Sequence, residues 1–451
     1  MMSGLRWGRS SRGETREPVE EQGGGWRLRA ARAQLGLTEE DLAHQVRRWA
    51  ELHGDPRPDV TADTVLEWEG GTRAIDLKAL RLLALALQVP DFERPGFAHL
   101  IGLNVWSLFR PAREFAEEDL ALRREYLRYV AALGESSIPD PERLTTALDE
   151  LSRVDSRLTE NMAVVARRLP KQIEGLPLSP GRQRVHSQLQ AIQALLDTPM
   201  PGAYRRELES AGAETATLAG MLSIPLGDHE DAALYLQLAM ELAGCAGDRE
   251  TEALALVFCS SLYSSCTDSR REDPARAREM LGSAIRLARH GVAARAFALL
   301  RQAEEYAILG EVADASRLMD EADRVVGTER GPVEGIHGRW DPNLHVAYRG
   351  NVARLSGRPE RAIPLLETAL AAQRPEAVPN RTRMTADLGA AYAQQGHVDH
   401  ACHLLSEALQ LTRAAGLPGP LPRIVRVRQR HLGRHAAEPM VRLLDEQLAG
   451  A

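Results

Sequence analysis

One stretch decides the fold: Met384-Thr-Ala-Asp-Leu-Gly-Ala-Ala-Tyr-Ala-Gln-Gln-Gly-His-Val-Asp-His-Ala401. Apolar and small residues precede Gly396 at helical spacing, and a second run of this kind begins at Ala401. A glycine between two such runs opens the turn that joins two helices. Small alanines let the second helix pack closely on its neighbours. The stretch therefore predicts a helical hairpin.

The same pattern recurs along residues 227–413. Five segments carry two alanines seven residues apart, with a large apolar residue four positions after the first alanine. The alanine pairs are Ala232 and Ala239, Ala277 and Ala284, Ala315 and Ala322, Ala362 and Ala369, and Ala401 and Ala408. Four segments, all except that of Ala277, have a glycine five residues before the first alanine. First alanines spaced by 45, 38, 47 and 39 residues predict a solenoid of stacked helical hairpins.

This repeat resembles the tetratricopeptide family. In the quoted stretch, the positions that match that family's signature are Leu388, Gly389, Tyr392, Gly396 and Ala401. The two preceding units match it at Gly350, Gly357 and Ala362, and at Ala303, Tyr306, Gly310 and Ala315. The repeats are longer than is usual in the family, which predicts inserted turns. A generic bundle of alanine-rich helices is the alternative.

The resemblance implies a ligand groove lined by the first helix of each hairpin, in which a peptide or protein segment lies. By family register, the groove positions are Arg301, Glu304, Ile308, Tyr348, Asn351, Arg354, Arg383, Asp387 and Gln394. Asparagine can both donate to and accept from a peptide backbone, and Arg354 can hold a carboxylate through two hydrogen bonds. The alternatives for each residue are a solvated helix face or ion pairs within the protein.

Ahead of the repeats, residues 26–95 read as a compact module of short helices. Thr38 begins a capping box, because an acidic residue follows three positions later at Asp41. Thr61 caps a third helix that runs through Trp68 and ends at Gly70-Gly71. A long loop, placed roughly at Arg47 to Asp59, separates the second and third helices.

This module resembles the helix-turn-helix of the lambda-repressor and Cro type. The match lies in Leu28, Arg29, Ala31 and Arg32, in Leu37 to Ala43, and most specifically in Val60 to Gly71, with Trp68-Glu69-Gly70-Gly71 at its end. The resemblance implies that the third helix enters the major groove of double-stranded DNA. The expected phosphate contacts are Arg27, Arg29, Arg32, Arg47 and Arg48, and the expected groove contacts are Thr61, Ala62, Asp63, Thr64 and Glu67.

The charge pattern argues against DNA binding over the whole length of the chain. The formal net charge is −7, whereas proteins that bind nucleic acid broadly are basic. Residues 26–94 contain ten basic and twelve acidic side chains. Asp63 and Glu67 fall where phosphates repel acids, although a carboxylate can accept from cytosine. DNA binding therefore depends on a local patch.

Other chemistries find little support in the sequence. Catalytic motifs and nucleotide-binding fingerprints are absent, so neither an enzyme nor a cofactor is expected. His397, His400 and His403 share one helical stripe beside Cys402 and suggest either a metal site or a solvated surface, of which we expect the latter. Cys259 and Cys266 fit buried small residues better than a redox pair. No membrane-spanning segment or signal peptide is recognisable, so a cytoplasmic protein is expected.

Together these observations predict an all-α chain: a small helix-turn-helix domain followed by an α-solenoid. The predicted ranges are a disordered tail at 1–25, the helix-turn-helix at 26–95, a helical linker at 96–200, repeats at 201–415 and C-terminal capping helices at 416–451. The first functional hypothesis is a DNA-binding transcriptional regulator, of the actinobacterial type by resemblance, acting as a homodimer and sensing a peptide or protein. The alternative is a scaffold that sequesters a partner protein without binding DNA.

Overall fold

The structure is a computed structural model that describes residues 25–52, 59–70, 72–73, 75, 77–88, 155–196, 200–264, 272–289, 291–327 and 342–450. Their secondary structure is helical, with no strand in these ranges. The described residues belong to two compact units, one up to residue 88 and one from residue 155 onward. The predicted all-α class is confirmed. The predicted tail at 1–25 lies outside the described residues except for Gly25, which begins the first helix, and most of the predicted linker lies outside them too.

The N-terminal unit contains four helices: α1 (Gly25–Gln34), α2 (Glu39–Leu52), α3 (Ala62–Gly70) and α4 (Leu77–Ala86). The capping box before α2 forms as expected, because the Asp41 backbone N–H donates to Thr38 Oγ1 and Asp41 accepts from the Thr38 N–H. Buried side chains on one side of α2 explain why it packs against both α3 and α4. The predicted start of the loop at Arg47 is wrong, since α2 continues to Leu52 and buries Ala50.

The second unit contains fourteen α-helices within its described residues. Helices α5 (Ser156–Gln172) and α6 (Leu178–Leu196) come first. The later helices form hairpins: α7 (Gly202–Ser223) with α8 (His229–Ala246), α9 (Arg249–Ser261) with α10 (Pro274–Leu287), α11 (Val292–Ile308) with α12 (Val312–Val326), α13 (Pro342–Leu355) with α14 (Pro359–Ala371), α15 (Val378–Gln394) with α16 (Val398–Ala414), and α17 (Leu421–Leu432) with α18 (Pro439–Ala449). The chain therefore has a helical-repeat body.

The turn glycines found in the sequence have the backbone conformation that the hairpins require. Gly227, Gly310, Gly357 and Gly396 all have φ between +72° and +84°. In each case the next backbone N–H reaches back to a carbonyl of the first helix, as from His397 to Tyr392 over 3.0 Å. This is the hydrogen bond of a Schellman motif, in which glycine avoids the strain of a left-handed residue.

Close packing of the two helices in a hairpin depends on a second small residue. The position seven residues before each turn glycine is Gly220, Ala303, Gly350 or Gly389. A Cβ atom added at Gly220 would lie 2.6 Å from Leu236 Cγ, and one at Gly350 would lie 2.8 Å from Leu366 Cγ. At Gly220 and Gly350, the repeated large apolar residue therefore packs directly over a backbone that has no side chain.

Successive first helices contact each other, in the order α7, α9, α11, α13, α15 and α17. The final pair continues this stack, because α17 packs on α15 and α18 packs on α16. At the other end, α5 and α6 both pack against α7, so they belong to the same compact unit as the repeats. The predicted boundaries at 200 and 415 thus fall within one packed unit. The Ala277 unit, which lacks the turn glycine, is joined by a longer connection between α9 and α10.

Late residues of this unit contact early ones. The Gly419 backbone N–H donates to the Pro225 carbonyl over 3.0 Å, and Arg374 forms an ion pair with Glu174. Arg426 lies 3.2 Å from Glu272, and Arg423 lies 3.4 Å from Glu304. These contacts join positions more than 100 residues apart. Three of the four come from α17 or the turn before it, so the start of the last hairpin lies against earlier elements of the stack.

Candidate functional site

Helix α3 presents one exposed side and one buried side. Of the predicted groove contacts, Thr61, Asp63 and Glu67 are exposed and Ala62 is half-buried. Leu66 is also exposed, with 45% of its surface accessible. Thr64 is buried, and its hydroxyl donates to the Asp59 carbonyl over 3.0 Å. The Thr64 N–H lies 3.3 Å from Thr61 Oγ1, so Thr61 caps the helix.

The predicted phosphate contacts divide into two groups. Arg32 is buried: its guanidinium lies 2.6 Å from both Glu69 and Glu39 and donates to the Leu37 carbonyl. Arg29 reaches the same Glu69 carboxylate at 3.1 Å. These contacts tie α1 to α3 and to the start of α2.

Arg47 and Arg48 follow each other on α2 but differ in their surroundings. The Arg47 guanidinium donates to the Val60 carbonyl and pairs with Glu40. Arg48 is exposed. The side chain of Arg27 lies outside the described residues. Of the predicted phosphate contacts whose side chains are described, Arg29 and Arg48 are exposed, and Arg29 is already paired with Glu69.

In the repeat body, five of the nine predicted groove positions form a network of polar and charged side chains, which Glu305 also joins. We define the inner cluster as the six residues Arg301, Glu304, Glu305, Asn351, Arg354 and Asp387. Each has less than a tenth of its surface accessible. They lie on three first helices, α11, α13 and α15. The alternative of ion pairs within the protein therefore describes these residues in this structure.

The contacts run from one helix to the next. Arg301 pairs with Glu304 and, at 3.0 Å, with Glu305 on its own helix. The Asn351 amide donates to Glu304, and Arg354 donates to Asn351 Oδ1 over 2.6 Å. Arg354 lies 3.7 Å from Asp387. Burying so many charges is tolerated only when each has a partner of opposite charge or a hydrogen bond.

Helix α17 completes the network, which reading the sequence by family register did not reveal. Arg423 donates from Nη1 to both carboxylate oxygens of Asp387, at 2.9 and 3.2 Å, and lies 3.4 Å from Glu304. Burial and the charges of Arg354 and Arg430 lower the pKa of His431 to about 4. The one sequence signal was the basic composition of Leu421–Leu432, which has four arginines and a histidine.

The remaining predicted groove positions lie around this cluster. Tyr348 is buried, and the Arg383 guanidinium lies 4.8 Å from the centre of its ring. Gln394 is half-buried and donates to the Arg354 carbonyl over 3.4 Å. Ile308 is half-buried near the end of α11. The register thus grouped these positions correctly on neighbouring first helices, whereas their role in binding stays a prediction.

The histidine stripe lies on the surface of α16. His397, His400 and His403 are exposed, and the Tyr392 ring lies 4.3 Å from that of His400. Cys402 is buried, and burial raises the pKa of its thiol to about 11. No group of three side chains able to hold a metal occurs in the part of the chain that the structure describes. Cys259 is buried, and Cys266 lies outside that part.

Within the described ranges, no helix is both long and apolar enough to cross a membrane. No protein-family model matches the chain, and no curated protein matches it. Among solved structures, the chain is similar to a crystal structure of Rap protein complexed with competence and sporulation factor, with a TM-score of 0.45 and 12% sequence identity. That similarity covers 74% of this chain and 87% of the other.

Proposed function

We propose that the chain is a transcriptional regulator with a DNA-binding head and a ligand-binding repeat body. The head is the N-terminal unit, which binds double-stranded DNA through the exposed side of α3. The observation that carries this proposal is the orientation of α3. Trp68 and Glu69 point into the unit, while Thr61, Asp63, Leu66 and Glu67 point outward. A helix of this kind offers its outer side chains to base edges.

The structure also refines which side chains are proposed to contact DNA. Arg48 is the proposed phosphate contact on α2. Arg27 also stays a proposed phosphate contact, because of its position in the sequence. Thr61, Ala62, Asp63 and Glu67 are the proposed groove contacts. We leave Thr64 and Arg32 out of the proposed interface because both are buried. One head with so few basic side chains binds weakly, so the regulator is proposed to act as a homodimer on a two-fold site.

In the proposed body, a peptide or protein partner binds at the inner cluster. Buried, mutually paired charges specify a partner of defined charge, because any misplaced group leaves one of them without compensation. Binding alters the DNA affinity of the head only if the partner prefers one arrangement of the chain over another. The role is one of binding, with no reaction proposed.

The test is selection of genomic fragments by the full-length protein, followed by gel shifts over a salt series. The variant is Arg48→Ala, and the matched control is Arg317→Ala, an exposed arginine on α12 of the body. We expect a recurring sequence, bound with an affinity that falls steeply with salt. Arg48→Ala should weaken binding to every sequence and lower the salt slope by about 1, while Arg317→Ala should leave both unchanged.

A second candidate is a scaffold that binds proteins but not DNA. The observation in its favour is the charge of the head: Asp63 and Glu67 are exposed on α3, while Arg29, Arg32 and Arg47 are already paired with acids. No enriched sequence at low salt would overturn the DNA-binding proposal and favour the scaffold. The Asp63→Asn variant then distinguishes two cases. A head whose DNA binding is weakened by repulsion from its acidic residues should gain affinity for DNA, whereas a head that does not bind DNA should gain none.

A further inference from the structure

Helix α17 contacts first helices that carry predicted groove positions. It contacts Asp387 of α15 and Glu304 of α11 through Arg423, and the loop residue Glu272 through Arg426. The turn before it approaches the turn after α7 so closely that a Cβ atom on Gly419 would lie 2.3 Å from the Ile224 carbonyl oxygen. This segment of the chain therefore touches four separate elements of the stack, and through Arg423 it reaches the inner cluster.

The charge balance of the inner cluster shows what α17 contributes. Within the cluster, Arg301 and Arg354 face the three carboxylates of Glu304, Glu305 and Asp387. Two positive charges against three negative ones leave one carboxylate uncompensated, and Arg423 supplies the missing cation. A buried charge that loses its partner is strongly destabilising. Whatever takes the place of α17 must therefore bring a positive charge.

The cluster also retains hydrogen-bonding capacity that α17 does not use. Glu305 is fully buried, and its Oε2 atom has no hydrogen-bond partner among the described residues. The Nε atom of Arg301 is also buried and has no hydrogen-bond partner among the described residues. Buried polar atoms of this kind cost free energy unless a partner is supplied. A ligand that donates a hydrogen bond to Glu305 Oε2 would satisfy an atom that has no partner while α17 is in place.

The two sides of α17 differ in what holds them. Ile424, Val427 and Leu432 pack in an apolar core with residues of α15, α16 and α18. Arg428 lies apart from the inner cluster and pairs with Asp445 of α18. Arg423 is the residue that joins the helix to the cluster by direct ion pairs. Charge pairing rather than apolar packing thus connects α17 to the predicted ligand positions.

We propose that the inner cluster is a binding site for a basic peptide segment, and that α17 occupies this site as an internal ligand that the peptide displaces. The guanidinium or ammonium group of the peptide replaces that of Arg423 between Asp387 and Glu304. This deepens the proposed function of the body and rests on it. It adds the charge of the partner and the part of the chain that the partner must compete with.

The experiment measures binding of a fluorescein-labelled peptide with the sequence of residues 420–432, by fluorescence anisotropy. A second peptide carries Arg423→Ala. The proteins are the full chain, its Arg423→Ala variant, the matched control Arg428→Ala, and the double variant Arg423→Ala with Asp387→Asn. Circular dichroism verifies the helical content of each. Arg423→Gln replaces Arg423→Ala if the latter does not fold.

We expect the Arg423→Ala protein to bind the first peptide at least about tenfold more tightly than the full chain or the Arg428→Ala control. A weakened internal ligand leaves the site accessible in a larger fraction of molecules, and the apparent affinity rises with that fraction. The double variant should lose this gain, because Asp387 is the main partner of the replaced guanidinium. The peptide that carries Arg423→Ala should bind the Arg423→Ala protein no more tightly than it binds the full chain.

A measurement on the unmodified full chain provides an independent check. Saturating peptide should increase amide hydrogen exchange across Leu421–Leu432, because the displaced helix loses its packing. Equal peptide affinity for the full chain and the Arg423→Ala variant, or unchanged exchange in α17 with bound peptide, would overturn the proposal. Arg423 takes no part in the proposed DNA contacts, so the selection of genomic fragments can succeed even if the peptide experiment fails. That result would indicate a regulator whose partner has a different charge, whereas failure of the selection would indicate a chain that does not bind DNA.

Discussion

At the scale of single residues, buried ion pairs join helices in both units of this protein. Arg32 with Glu69 joins helices in the head, and the inner cluster with Arg423 does so in the body. Removing one partner of a buried pair costs more than the pair contributes, because the remaining charge has lost both water and its counter-ion. Variants of such residues therefore need a separate check of folding, because losing one partner weakens the fold itself.

The first prediction concerns Arg32→Ala. The variant leaves the fully buried Glu69 carboxylate paired with Arg29, whose side chain is largely exposed. We expect the head to lose about 3 kcal/mol of stability. Amide hydrogen exchange of Gly25–Gln34 and Ala62–Gly70 should rise accordingly. Arg48→Ala, an exposed position on α2, is the control and should change stability by less than about 0.5 kcal/mol.

The second prediction concerns His431 and pH. Because burial and neighbouring arginines lower the pKa of His431 to about 4, the unfolded chain binds a proton at this residue between about pH 6.5 and pH 4 while the folded chain does not. The contribution of the neutral His431 to the free energy of unfolding should be fully present above that range and fall as the pH drops through it. The urea midpoint should therefore decrease from pH 7 to pH 5, and His431→Gln should reduce that decrease. An identical decrease in both proteins would contradict the prediction.

At the scale of elements, the four hairpins with a turn glycine depend on two small residues with different tasks. The turn glycine allows a left-handed backbone, and the small residue seven positions earlier allows the second helix to approach. The alanine pairs and turn glycines were visible in the sequence because their spacing repeats. The capping residues Thr38 and Thr61 were visible for a similar reason: the side chain that caps and the backbone that it caps are close in sequence.

The third prediction compares two glycines of α7. Gly220→Ala places a methyl group 2.6 Å from Leu236 Cγ and 3.3 Å from the Ala232 carbonyl oxygen, so the hairpin must shift. Overpacking of this kind costs about 1–3 kcal/mol. Gly202→Ala, at the start of the same helix, meets no atom within 4 Å and should be neutral or slightly stabilising. Thermal unfolding measures both, and equal midpoints would refute the role assigned to Gly220.

At the scale of the whole repeat body, contacts between distant residues change how the array should unfold. An open solenoid contacts only its neighbours, so it can unfold from either end. Here Gly419 and Arg423 of the last part contact Pro225 and Glu304 of the first part. Loss of the last hairpin should therefore loosen the first half of the stack as well.

The fourth prediction tests this closure with Gly419→Ala. The added Cβ would lie 2.3 Å from the Ile224 carbonyl oxygen and 2.8 Å from Pro225 Cα, and backbone atoms cannot rotate away. We expect amide exchange in Leu421–Leu432 to rise at least about tenfold, together with exchange around residues 223–228. Gly433→Ala, just after α17, meets no atom within 4 Å and serves as the control. A change confined to the substituted residue would show that the closure does not stabilise the array.

The sequence by itself determined the helical class, the hairpins, their turn glycines and the caps of the head helices, because each follows from spacing within a few turns of chain. It also placed Arg301, Glu304, Asn351, Arg354 and Asp387 on neighbouring first helices through the repeat register. Only the tertiary structure decided that these side chains are buried in contact with one another and that Arg423 completes their charge balance. That pairing joins residues 36 and 119 positions apart. Its partners meet because the stack curls, and the degree of curl is set by many small packing contacts that leave no periodic signal in the sequence.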